Sequence, residues 1–82
     1  MLTMTETRHQ LQGIDQKIIA LFADRVLLCA EARERNEGLD LKDVREDMLA
    51  EWIEEAAEYD IPEDAIAKIG AIVMNQLCRG EE

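Results

Sequence analysis

From Met4 to Asn36 the chain offers one continuous helical stretch, interrupted only by Gly13 and opened by Thr3 and Glu6 in capping-box spacing. At 1.5 Å per residue such a helix is roughly 50 Å long. A compact globule of 82 residues has a radius of gyration of about 12 Å and a diameter near 30 Å. The first helix therefore overhangs anything its own chain can build around it. Leu11, Ile14, Ile18, Leu21, Leu28 and Ala32 recur at alternating spacings of three and four along it, the pattern of a seam that needs covering. A second copy of the same helix in a two-fold homodimer is the simplest cover.

The segment Glu37-Gly38-Leu39-Asp40 breaks this helix, with Gly38 suited to a left-handed position after a helix end. Asp43 and Glu46 repeat the capping-box spacing, and Asp40 is an earlier candidate cap. A second helix then carries Val44, Met48, Leu49, Trp52, Ile53 and Ala56 on one side, with Glu51, Glu54, Glu55 and Glu58 largely on the other. Asp60-Ile61-Pro62 closes it and opens a third helix, because proline suits a first turn. Ile66, Ile69, Ile72, Val73 and Leu77 give that helix its core stripe, and Gly80 its stop. Residues 1–82 thus read as one all-α domain of three helices, without strand, repeat or linker.

Nineteen acidic residues against nine basic ones give a net charge of −10, which disfavours nucleic acid and anionic membrane as partners. No apolar run reaches membrane-spanning length, and the N-terminus lacks a basic region followed by an apolar core. The expectation is a soluble, cytoplasmic protein. Cys29 and Cys78 have no metal-ligand or redox spacing and read as reduced, core-like thiols. His9 has no companion at ligand spacing and reads as a surface residue. No nucleophile motif, phosphate loop or zinc pattern is present, so neither metal nor cofactor is expected.

Arg25 stands out, because it occupies the slot between Leu21 and Leu28 in the apolar stripe. A guanidinium there is costly unless an anion meets it, either an acid of the protein such as Glu46 or a carboxylate brought by a ligand. Arg8 lies near the free end of the long helix, where it reads first as a surface residue or as an overhang onto a partner subunit. Arg45 and Glu46 border the apolar face at the start of the second helix and form a natural ion pair. Arg33 and Arg35 are favourable cations at a helix C-terminus. Met48, Met74 and Trp52 read as core filling. Together the arginines suggest a small di-anionic ligand.

The order Arg8-x6-Asp15-x2-Ile18-Ile19-x-Leu21-x3-Arg25, then Gly38-Leu39, then Asp43-x-Arg45-Glu46, resembles the all-helical class of chorismate mutases from Thr7 to about Glu82. The match is specific in helix one and at the start of helix two, and weak in helix three. The resemblance implies a three-helix chain whose long first helices pair in an intertwined homodimer of the chorismate mutase II type. It also implies conversion of chorismate to prephenate in aromatic amino acid biosynthesis, a [3,3] rearrangement without cofactor. Catalysis of that reaction consists of holding the substrate in its reactive shape and stabilising charge on the breaking ether oxygen. Arginines suit the first task because their planar fork grips a carboxylate at two points.

By position, Arg25 matches the family's carboxylate-binding arginine, and Arg8 matches the one given by the partner chain. Arg45 and Glu46 match its Arg-Glu pair, whose glutamate accepts from the ring hydroxyl, and Asp43 approximates the aspartate before that pair. The lysine that the family places eleven residues after the Arg25 position is Asn36 here, an amide that can donate a hydrogen bond but carries no charge. The loop before Asp43 is shorter by about two residues, and Arg35 is the expected substitute for the missing cation. An ungapped alignment sets Leu77 at a small polar position and Glu81 at a glutamine that donates to the ether oxygen. Glu81 can donate only when protonated, so activity would rise at acidic pH. Two other readings of the same pocket are a silent binding or regulatory module that works with another shikimate-pathway enzyme, and an enzyme acting on isochorismate or aminochorismate.

Overall fold

The computed structural model describes residues 1–38 and 41–77, and helices make up nearly all of them. Helix α1 spans Met4–Glu34, α2 Lys42–Ala57 and α3 Glu63–Ile72, and α3 runs on into a π-helical segment at Val73–Leu77. There is no strand among the described residues. Leu39, the candidate cap Asp40, Cys78, the proposed stop Gly80 and the candidate site residue Glu81 lie outside them.

The N-terminus of α1 forms as its sequence requires. The Thr3 hydroxyl accepts from the Glu6 amide, and the Glu6 carboxylate accepts from the Thr3 amide at 2.9 Å. The C-terminus falls two residues earlier than expected. Asn36 donates its amide to the Arg33 carbonyl and Glu37 donates to the Ala32 carbonyl, the paired bonds of a Schellman motif, with Asn36 left-handed at φ 56°. Gly38, also left-handed at φ 77°, continues the turn. Helix α2 ends the same way: Asp60 donates to Ala57, Ile61 donates to Ala56, and Asp60 is left-handed at φ 59°. The expected capping box at Asp43 is not formed. Leu41 is the cap residue of α2, without a side-chain hydrogen bond, and Asp43 sits inside the first turn, where its charge faces the helix N-terminus.

Packing is concentrated at one end. Helices α2 and α3 form an antiparallel hairpin, and the terminal π-helical segment runs from it to α1. Among the described residues α1 approaches only that segment. Val73 and Met74, on the segment, are the most fully buried side chains, with Ala56 of α2 and Cys29 and Ala32 of α1 buried as well. Gly70 lets the hairpin close, because a Cβ there would stand 2.5 Å from Leu49 Cδ1. Ile69 and Ile72, read from the sequence as core, lie largely exposed on the other side of α3.

Cys29 is disulfide-bonded, which corrects its reading as a reduced thiol. Spacing rules see only neighbours in sequence, whereas the crossing of α1 by the terminal segment brings together residues 49 positions apart. Helix α1 beyond that crossing is bare. Leu11, Ile14, Ile18 and Leu21 are all exposed, and the molecule measures 50 × 24 × 18 Å with a radius of gyration of 15.3 Å. No helix among the described residues is long and apolar enough to cross a membrane.

Candidate functional site

Arg25 is held where α1 meets the terminal segment. Its Nη2 donates to Met74 Sδ at 3.4 Å and its Nη1 lies 4.0 Å from Cys29 Sγ. Its neighbours in the sequence stripe, Leu21 and Leu28, remain exposed. Arg25 therefore faces the side of α1 shared with Cys29 and with Ala32, the one stripe residue that is buried. Neither sulfur carries formal charge, and Arg25 makes no ion pair among the described residues. Its burial without a carboxylate lowers the guanidinium pKa through desolvation, yet an arginine remains protonated across the working range. The anticipated pairing with Glu46 does not form.

On the other side of Met74 lies a groove lined by Arg45, Glu46, Leu49, Ala71, Met74 and Asn75, with Lys42 at its rim. The start of α2 contributes the charged residues and the end of α3 the floor. Arg45 Nη1 donates to Asn75 Oδ1. Arg45 Nε is shut off from solvent with no hydrogen-bond partner, and leaving a donor in that state costs on the order of 1 to 3 kcal/mol. Glu46 does not pair with Arg45. Its carboxylate lies 3.7 Å from Lys42 Nζ, one helical turn back. Met74 thus separates two guanidinium groups, one of α1 and one of α2, neither of which meets a carboxylate among the described residues.

The remaining candidates are placed elsewhere. Arg35 Nε donates to Glu37 Oε2 in an exposed pair, which raises the Arg35 pKa and lowers that of Glu37. In that pose Arg35 does not replace the missing cation. Asn36 terminates α1 and is exposed. Asp43 is exposed and outside the groove. Arg8 stands in an open hollow on the bare end of α1 with Met4, His9, Gln12 and Asp15. It is 17 residues from Arg25 on one straight helix, hence about 26 Å away, and cannot join it within one chain. Among the described residues no group of acids, cysteines or histidines is arranged to hold a metal.

Two polar residues of the groove escaped the sequence reading. Lys42 was detectable from its i, i+4 spacing to Glu46. Asn75 was not, because the π-helical segment holds it toward Arg45, whereas an ungapped helical register set Leu77 at the polar position. No family model matches the chain, and no curated protein or solved structure matches it either.

Proposed function

We propose that the protein is a dimeric chorismate mutase, in which the two carboxylates of chorismate are held between Arg25 and Arg45 of one subunit and Arg8 of the other. The observation that carries this reading is Arg25, a half-buried guanidinium directed at sulfur atoms with no carboxylate among the described residues to neutralise it, beside a groove whose Arg45 keeps an unpartnered Nε donor. A dicarboxylate would satisfy both, and charge-assisted bonds to such a ligand are roughly twice as strong as neutral ones. Lys42 supplies the cation that Asn36 lacks, and Glu46 accepts from a substrate hydroxyl. No covalent step and no cofactor is required, since restraint and electrostatic stabilisation are enough for a unimolecular rearrangement.

The dimer is part of the proposal. An accessible surface of 6673 Å² exceeds the roughly 5,000 Å² of a folded 9.4 kDa monomer. The excess is of the size that pairing of the exposed α1 stripes would remove. An antiparallel copy would also carry Arg8 across the 26 Å or so that separate it from Arg25 within one chain.

The test is the disappearance of chorismate, with product identification, between about pH 4.5 and 8, for the wild type and Arg25→Ala. Prephenate formation that falls at least about 100-fold in the variant is expected, the usual cost of losing one preorganised donor. A folded dimer that converts no chorismate at any pH overturns the enzymatic reading. It would favour a silent binding module on the same pocket, which Asn36 also supports, since its amide carries no charge where the resemblance implies a lysine.

A further inference from the structure

At the far end of the α2–α3 hairpin, about two turns along α2 from Arg45, a second depression is walled by Trp52, Ala56, Tyr59, Ile61 and Ile66 and edged by Glu51 and Glu55. Its walls are almost wholly apolar, and they are open: Tyr59 is 70% and Ile61 43% exposed. Around it the charge is one-sided. Between Glu46 and Ala67 the sequence holds nine acidic residues and no lysine, arginine or histidine, and within that stretch only Glu46 forms an ion pair among the described residues. Glu51, Glu55 and Glu58 follow one another at i, i+4 and i+7, so three like charges repel along one ridge of α2.

We propose that this corner docks a cationic, amphipathic segment of a protein partner. An apolar side chain of the partner fills the space between Trp52 and Ile66, and lysines or arginines one turn apart meet Glu51 and Glu55. The faces of Trp52 and Tyr59 offer those cations a second attraction. Charge selects the occupant. Nucleic acid has the wrong sign, and the exposed helix of a second copy is no better suited, since α1 carries five acids against four lysines and arginines. The long-range field of the acidic stretch would also speed the encounter in a salt-dependent way.

Trp52 is the only tryptophan of the chain, so its fluorescence reports directly on the groove. The probe is an 18-residue helical peptide of leucine and lysine with a single apolar stripe, compared with a scrambled peptide of the same composition and with a leucine–glutamate version. In 150 mM salt the amphipathic basic peptide is expected to give a saturable blue shift of Trp52. The double substitution Glu51→Lys, Glu55→Lys is expected to weaken it at least tenfold, and Ile61→Ser several-fold, with helix content unchanged by circular dichroism. Equal binding of the scrambled peptide would reduce the effect to unspecific charge attraction and overturn the proposal. So would unchanged binding by the double variant, which would put the peptide elsewhere. A Trp52 shift produced by raising the protein concentration alone would assign the groove to a second copy and overturn it too.

Discussion

The two ends of α1 have similar sequences and opposite fates. Toward its C-terminus, Cys29 and Ala32 are buried where the segment holding Val73 and Met74 crosses the helix. Toward its N-terminus, Leu11, Ile14 and Ile18 are just as apolar and lie open. The difference is one of reach, since α2, α3 and the terminal segment can cover only part of a 31-residue helix. Apolar periodicity alone marks a face to be buried. Helix length against domain size decides whether the chain can bury it by itself.

The contrast is testable by substitution at the two ends. Met74→Ala removes the side chain at the crossing and is expected to cost about 2 to 5 kcal/mol, read as a large drop in the thermal midpoint; a change under about 0.5 kcal/mol, the range of surface substitutions, would mean that the packed end is not what holds the monomer. Gly70→Ala comes next, at about 1 to 3 kcal/mol, because the new Cβ meets Leu49; Leu49→Ala should recover part of the loss by making room. Asn36→Gly and Asp60→Gly should each stabilise by up to about 1 kcal/mol, since glycine adopts a left-handed conformation without steric cost, and a loss would show that the side chains do more than end their helices. Ile18→Ser is the smallest in dilute protein, within about 0.5 kcal/mol. If the proposed dimer forms, the wild type at high concentration should sediment as a dimer and melt in a concentration-dependent way, both lost in this variant, and identical behaviour of the two at every concentration would make the bare stripe a solvated surface.

Much of the fold was legible, for identifiable reasons. The Thr3–Glu6 box, the start and most of the length of α1 and the proline-opened α3 are local features, and local rules placed them. The ends of α1 and α2 were harder, because Asn36 and Asp60 take a conformation usually given to glycine. The capping box expected at Asp43 failed because the helix begins two residues earlier and leaves that side chain within the first turn. In the site, the importance of Arg25 was visible from the stripe it interrupts, but its sulfur partners were not, because Met74 is distant in sequence and only the chain crossing brings it close. Gly70 and Asn75 carried no sequence signal, since the first depends on the approach of α2 and the second on a π-helical register.

The hydrogen-bonded cap at Thr3 and Glu6 has a consequence for association. It closes the very end of α1 that no other helix touches among the described residues, so the first turn has its backbone donors satisfied before any partner arrives. A partner meeting that end encounters a backbone already in helical form. Part of the backbone ordering entropy that usually weakens the binding of an unsupported segment has there been met during folding.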